Sequence, residues 1–291
     1  MVLLPPWDDG GVVPLALAGL SVVLVWVAPG VMARRTRFRR SPRAALVAWQ
    51  AVSLGGVLAA LFAAPATLPL LLRGEEVSRH PGMVAAAVLV SSALLVRVLV
   101  AGHLVGTRLR AARAEHRGLV DVLGEDDGDG VRVLQHPTPT AYCIPGRGAR
   151  VVLTRGVLDA LPADQLAAVV AHERAHLRAR HDLLLEFFSV AHESVPRRLR
   201  SQDALAEVRL LVEALADRAA VRRAGELATA RALVAVAEGG VPDGGVGAAA
   251  SAPVRLRLLA LGPQPGLAAA AYALAVVAVL LPVGLLALAW S

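Results

Sequence analysis

Four apolar stretches, each long enough to cross a bilayer, dominate the hydropathy pattern of the chain. They run from Val12 to Val31, from Ala44 to Leu72, from Met83 to Val105 and from Gly266 to Trp290. A helix needs roughly 20 apolar residues to cross a hydrocarbon core about 30 Å thick. The second stretch is overlong and contains Pro65 and Pro69, so it predicts either a kinked or tilted helix or one that ends near Ala64. The pattern predicts four transmembrane helices.

Residues 106–265, between the third and fourth stretches, are charged and mixed, and they are numerous enough for one domain. Short segments rich in β-branched residues predict a small sheet at 131–134, 140–144 and 150–154, after an acidic turn or flexible loop at 124–130. Helical patterns follow from Pro162 to about Ser189, from about Gln202 to Arg223 and, more weakly, from Val254 to Leu261.

The predicted fold class is therefore α+β, in a multi-span α-helical membrane protein. Residues 1–105 form a membrane region with three transmembrane helices. Residues 106–265 form a mainly helical domain with a small β-sheet, and residues 266–291 form the fourth transmembrane helix.

Composition supports a membrane protein over an ordinary soluble one. Of the 291 residues, 56% are hydrophobic and 18% are charged, and the mean hydropathy is +0.59. The net charge of +7 comes from arginine alone. These arginines lie beside apolar segments, which indicates orientation in a bilayer and argues against direct nucleic-acid binding. The single cysteine, Cys143, excludes an internal disulfide and a cysteine-cluster metal site.

The distribution of arginine predicts which side of the plasma membrane the domain faces. Six arginines separate the first two apolar stretches and four follow the third, at positions 34, 35, 37, 39, 40 and 43 and at positions 108, 110, 113 and 117. The loop between the second and third stretches balances two arginines against two glutamates. By the positive-inside rule, residues 106–265 are cytoplasmic.

The first long helical pattern of this domain contains the run His172-Glu173-Arg174-Ala175-His176. Residues four apart lie on one face of a helix in adjacent turns, so both imidazoles can reach one zinc ion at about 2.0–2.1 Å. Glu173 can hold a water at that ion by a hydrogen bond and act as its base. The motif predicts a zinc site with hydrolytic chemistry.

A catalytic zinc needs a third protein ligand and an open position. Glu213, on the next predicted helix, is the candidate, because antiparallel packing would turn it toward the histidine pair. Asp217 lies one turn further on the same face, where it can accept the free ring N–H of a ligand histidine. Alternatively, both are surface carboxylates paired with Arg209 or Arg218. Beside the histidine pair we favour the zinc interpretation.

The chain resembles membrane-bound zinc metallopeptidases of the gluzincin type, in which H-E-x-x-H is followed by E-x-x-x-D. The resemblance is best from Thr140 to Asp217, with matching runs at 141–146, 151–158 and 166–173. It is similar in particular to the BlaR/MecR-type antirepressor peptidases, especially short actinobacterial members that lack an extracellular penicillin-binding sensor. HtpX-like membrane proteases share the same residues.

The resemblance implies one Zn²⁺ per chain, with His172, His176 and Glu213 as ligands and Glu173 as general base. It implies that Asp217 supports a ligand histidine from the second shell of the site. It implies a bacterial metalloendopeptidase that cuts a cytosolic transcriptional repressor in a signalling pathway. The alternatives are an HtpX-like quality-control protease and a non-catalytic signal transducer in which zinc staples two helices.

The expected partners are a protein or peptide substrate and the lipid bilayer, and the sequence leaves the oligomeric state open. Because a peptide substrate must be held extended, we expect it to pair with an edge strand formed by Val151, Val152, Leu153 and Thr154. The donor that would stabilise the oxyanion is open among His181, Arg222, Arg255 and Arg257.

Overall fold

A computed structural model describes residues 12–73, 81–238, 246–262 and 264–291 of the chain. Four helices are long and apolar enough to cross a membrane, and they cover Val12–Arg34, Pro42–Thr67, Val84–Leu123 and Pro265–Trp290. The structure is otherwise mainly helical with one small sheet. The predicted fold class is confirmed.

The first two spans contain prolines that change the helix locally. The first consists of α1 (Val12–Val22), a π-helical turn (Val23–Val27) and α2 (Ala28–Arg34). The π turn ends two residues before Pro29, which has no N–H to donate into a regular helix. The second span begins as α3 (Pro42–Phe62) and continues as a 3₁₀ turn (Pro65–Thr67) and α4 (Leu68–Arg73). The regular helix of this span thus ends at Phe62, close to the Ala64 of one expected alternative, and helical turns continue past Pro65, as the alternative of a kinked helix expects.

The third span is part of one helix, α5 (Pro81–Leu123), which has 43 residues and is about 65 Å long. It runs without a break through the domain boundary expected at residues 105 and 106. The sheet starts at the next residue, so it is attached directly to the helix that contains the third span.

The sheet has four strands: β1 (Gly124–Gly128), β2 (Val131–Leu134), β3 (Ala141–Ile144) and β4 (Arg150–Thr154). Their order across the sheet is β1-β2-β4-β3, with β2 and β4 parallel and the other pairs antiparallel. β1 replaces the loop expected at residues 124–130. Its polar residues are exposed, so backbone pairing rather than apolar burial defines it.

Val151, Val152, Leu153 and Thr154 do not form an edge strand, and that expectation is wrong. They belong to β4, which pairs with β2 on one side and with β3 on the other. All four are at most 4% exposed. A continuous apolar run is typical of a strand that is buried on both faces. The edge position next to β4 belongs to β3.

Seven α-helices follow in the described chain: α6 (Arg155–Ala160), α7 (Ala163–Arg178), α8 (His181–Ser194), α9 (Gln202–Ala224), α10 (Glu226–Glu238), α11 (Val246–Ala260) and α12 (Pro265–Trp290). The helix predicted from Pro162 to Ser189 is therefore two helices. Arg180 separates them in the left-handed conformation, with φ of 52°. The helix predicted from Gln202 to Arg223 is confirmed as α9, whereas the pattern did not predict α10.

Two apolar clusters fix α9 in place. One packs the sheet and α6 against α7, α9 and α10, through residues that include Val151, Leu153, Val157, Ala168, Ala220 and Ala232. The other joins α8 and α9 to the second span, through residues that include Trp49, Phe188, Val208, Leu211 and Val212. Arg39 reinforces this contact by donating to both carboxylate oxygens of Glu207 at 2.5–3.0 Å. α9 thus packs on a membrane span as well as on the domain core.

Candidate functional site

α7 and α9 bring His172, His176 and Glu213 together. The two Nε2 atoms lie 3.1 Å apart. Glu213 Oε2 lies 3.3 Å from His172 Nε2, and Glu213 Oε1 lies 3.6 Å from His176 Nε2. One ligand atom from each residue falls within 4.8 Å of the others. The antiparallel packing expected from the sequence therefore places all three side chains at one point.

This arrangement fits a metal ion by a simple geometric test. Ligand atoms at 2.0–2.1 Å from a tetrahedral ion are about 3.3 Å apart. The three observed separations of 3.1, 3.3 and 3.6 Å surround that value. Two imidazole nitrogens and one carboxylate oxygen are also the donor types that zinc accepts.

Asp217 orients His172. Its Oδ1 lies 3.0 Å from His172 Nδ1, on the side of the ring opposite the Nε2 that faces Glu213. Asp217 is 2% exposed, so the contact is buried. A carboxylate that accepts the Nδ1–H holds the ring in the tautomer whose Nε2 carries a lone pair. Asp217 is thus placed where the sequence predicted it.

His181 has the same relation to the second histidine. The Nδ1 atoms of His176 and His181 lie 3.0 Å apart, and the rings meet edge to face at 4.8 Å between centroids. One of these nitrogens must donate and the other must accept. We assign the donor to His176, because its Nε2 is then free to accept a metal. His181 is 4% exposed and cannot exchange this partner readily for water.

Arg255, on α11, closes the site behind the carboxylates. It donates to Asp217 Oδ2 from Nε at 2.8 Å and to Oδ1 from Nη2 at 2.5 Å. Its Nη1 also lies 3.1 Å from Glu213 Oε2. Since these contacts engage the buried guanidinium, its structural role is to hold the two carboxylates. Of the other candidates for the oxyanion donor, His181 contacts His176, whereas Arg222 and Arg257 are exposed.

Electrostatics in the cluster favours a bound cation. Burial lowers the pKa of His172, but hydrogen bonds with Asp217 and Glu213 outweigh burial and raise it to about 10. Burial raises the pKa of Glu213, but its hydrogen bond with His172 outweighs this and lowers it to about 2. Burial lowers the pKa of His176 to about 4. The carboxylates thus stay charged and stabilise positive charge on this side of α7.

Glu173 lies beside the three candidate ligands and is itself buried. Burial raises its pKa to about 7, and the charge of His172 reduces this effect only in part. The pKa of the Cys143 thiol is raised, first by burial and then by the charge of Glu173. Cys143 is thus a neutral neighbour of Glu173, a proximity that sequence reasoning missed.

A cavity of about 160 Å³ opens in front of this cluster. His172, Glu173 and Arg255 form one part of its wall, and Pro139, Thr140 and Ala141 form another. Ala141 is the first residue of β3, whose outer edge is not paired with another described strand. An extended chain beside β3 would thus pass along the cavity.

The comparisons with known proteins agree with this geometry. Residues 113–261 match the family model of peptidase family M48, and they include every residue of the cluster. Comparison with curated proteins and with solved structures gives no match. Because the matched segment makes up just over half of the chain, the protein belongs to peptidase family M48 and is a metallopeptidase.

Proposed function

We propose that the protein is a zinc-dependent endopeptidase that is embedded in the plasma membrane and cuts protein substrates at the cytoplasmic face. His172, His176 and Glu213 hold one zinc ion per chain, and Glu173 is the general base. The observation that carries this proposal is the spacing of 3.1–3.6 Å among three zinc-compatible donors, with a buried carboxylate next to them.

The side chains of the site divide the work of peptide hydrolysis. A bound zinc ion would supply Lewis acidity to the scissile carbonyl and to a water. Glu173, with a pKa raised to about 7, would take a proton from the attacking water near neutral pH and return it to the departing amine. Asp217 and His181 keep the two imidazoles in the orientation and tautomer that ligation requires.

β3 replaces β4 as the strand that we expect to bind the substrate. Its edge is free among the described strands, and its first residue lines the cavity. A peptide backbone that pairs with Ala141–Ile144 would be held extended, with side chains alternately facing the cavity. Exchange of the cavity-lining Ala141 for a larger residue should therefore change which side chains are accepted near the cut bond.

The orientation in the membrane follows from arginine asymmetry. We place residues 106–265 in the cytoplasm as the peptidase domain, between a membrane region at 1–105 and a fourth span at 266–291. A reporter fused at Gly128 tests this, because Gly128 is an exposed residue at the end of β1. Alkaline phosphatase should be inactive and green fluorescent protein fluorescent at this position. The opposite result would contradict the cytoplasmic placement.

The physiological substrate that we propose is a cytosolic transcriptional repressor, by similarity to the BlaR/MecR-type peptidases. Removal of such a repressor would make the protein the proteolytic step of a signalling pathway. The match to family M48 is equally compatible with an HtpX-like quality-control protease. Recovery of cleaved fragments from cells that express active and inactive protein would distinguish a single repressor from many damaged membrane proteins.

The decisive experiment is Glu173→Gln in the full chain. Glutamine keeps the shape of the side chain but cannot take a proton, so zinc content and fold should persist while proteolysis is lost. Glu115→Gln, at an exposed position on α5, is the matched control and should cut as the wild type does. A transducer in which zinc is only a structural staple would keep its cellular output in Glu173→Gln. That result, at equal abundance and zinc content, would overturn the protease proposal.

A further inference from the structure

The helices α8 and α9 form a hairpin whose closed end lies beside the membrane spans. Arg97 Nε donates to the carbonyl oxygen of Ser194, the last residue of α8, at 2.7 Å. Sixteen residues further along α5, Arg113 contacts Glu186 at 3.4 Å and Asp182 at 3.6 Å. α8 therefore runs antiparallel to α5, with its end at the level of Arg97.

Arg97 marks a natural boundary on α5. It is the first charged residue of that helix, after sixteen uncharged residues. The segment between the two helices of the hairpin, Val195–Ser201, lies at the same level and is called the α8–α9 turn below. It carries three further arginines, at positions 197, 198 and 200. A level at which arginines replace a purely apolar surface is where phospholipid headgroups meet a membrane protein.

An apolar cavity of about 300 Å³ lies between this hairpin and the spans. The first three spans contribute Leu24, Leu54 and Leu94, and the hairpin contributes Phe187 and Leu205. Water gains few hydrogen bonds in a cavity with such walls, whereas hydrocarbon fits them. An α-helix needs about 400 Å³ per turn, so the cavity is too small for a transmembrane helix but has room for an extended hydrocarbon chain.

The charges at the edge of the cavity indicate which kind of lipid would carry this hydrocarbon chain. Arg200 lines the cavity but is engaged, because it donates to the carbonyl oxygens of Val195 and Glu193 and pairs with the Glu193 carboxylate. Arg197 and Arg198 are exposed and have no hydrogen bond or ion pair within the described parts of the chain. One anionic lipid would fit both features: its phosphate would pair with the two cations, and its acyl chain would fill the apolar cavity.

We propose that this cavity binds an anionic phospholipid of the cytoplasmic leaflet, with an acyl chain among the spans and its phosphate against Arg197 and Arg198. The exposed Glu193 is paired with Arg200, and the next exposed acid in sequence is Asp203 in the first turn of α9, so the α8–α9 turn keeps a positive balance. The site is separate from the peptidase cluster and would exist whether or not the chain is catalytic.

Native mass spectrometry of the full chain in detergent tests the proposal, with palmitoyl-oleoyl phosphatidylglycerol and phosphatidylcholine as probes. The wild type should retain one phosphatidylglycerol per chain and prefer it to phosphatidylcholine. Removal of both cations in Arg197→Gln/Arg198→Gln should weaken phosphatidylglycerol binding about 30-fold, because two arginines then lose their attraction to an anionic lipid. The matched control is Arg222→Gln/Arg223→Gln, which removes two exposed arginines at the far end of α9 and should bind as the wild type does.

A second variant tests the acyl chain. Ala204 lines the cavity, and Ala204→Trp should fill it and abolish retention of both lipids. Equal retention of the two lipids by the wild type would overturn the proposal, as would unchanged binding in Arg197→Gln/Arg198→Gln. If a folded Ala204→Trp protein still retains phosphatidylglycerol, the lipid lies outside the cavity and the proposal fails. If that variant does not fold, the arginine pair and the lipid preference decide.

Discussion

Asp217→Asn tests whether the hydrogen bond behind His172 is necessary for metal binding. Asparagine has the shape of aspartate, but it lacks the charge and offers one oxygen where aspartate offers two. In the structure, Oδ1 faces both His172 and Arg255, and Oδ2 faces Arg255 alone. If the asparagine oxygen takes the Oδ1 position, its amide group points a donor at the Arg255 Nε–H. The substitution thus weakens one contact and turns the other into a clash of donors.

Two separate losses are expected. Weaker support of a ligand histidine should lower zinc affinity about 10–100-fold, which corresponds to about 1.4–2.7 kcal/mol. Breaking a buried ion pair from one side typically costs about 3–5 kcal/mol of unfolding free energy. Because Arg255 keeps its contact with Glu213 at 3.1 Å, we expect the lower end of that range.

Competition with a chromophoric chelator at pH 7.5 measures the zinc affinity, and thermal unfolding with and without zinc measures stability. Asp203→Asn is the control, because Asp203 is an exposed carboxylate on the same helix, and it should leave zinc affinity unchanged. A folded Asp217→Asn protein that binds zinc within twofold of the wild type would refute the reasoning, since the Asp217 contact would then not orient the ligand.

Three further predictions concern pH, the second histidine and the membrane spans. In chelator-treated protein, the folded state keeps a proton on His172 up to about pH 10, whereas the unfolded chain loses it near pH 6.5. The stabilisation that the protonated His172 gives to the folded state should therefore be lost as the pH rises from 6.5 to 10, measured as a falling free energy of unfolding in denaturation at several pH values. His181→Leu should lower zinc affinity about tenfold, because the Nδ1–H of its partner loses its acceptor, and His181→Asn, which restores an acceptor, should recover part of the loss in chelator competition. Gly55→Ala would bring a methyl group into steric overlap with the Ala278 carbonyl oxygen in α12 and should cost about 1–3 kcal/mol, measured as a lower thermal midpoint in detergent. Gly19→Ala, which meets open space in the first span, should have no such effect.

Local spacing explains which parts of the site the sequence could predict. His172 and His176 share a face of α7 because four residues make about one helical turn, and the same rule relates Glu213 to Asp217 on α9. Those four residues needed only the further assumption that the two helices pack against each other. The structure brings them together as expected.

The sequence offered His181 and Arg255 only as candidate oxyanion donors, and the roles that the structure gives them depend on contacts between helices. The contact of His181 with His176 requires the chain to break at Arg180, a residue type that rarely adopts a positive φ. Arg255 approaches Asp217 from α11, 38 residues away, and nothing in its own neighbourhood indicates which carboxylate it meets. The error over β4 has a similar origin, because strand order in a sheet is not visible in the hydropathy of one strand.

The length of α8 sets a distance between the membrane surface and the peptidase cluster. The helix begins at His181, against His176, and ends at Ser194, at the level of Arg97. Its 14 residues span about 20 Å. On the membrane placement proposed above, a substrate anchored in the same membrane would need at least about six extended residues between its anchor and the bond to be cut. We therefore expect the protein to spare anchored proteins with shorter stalks, whatever their sequence near the bond.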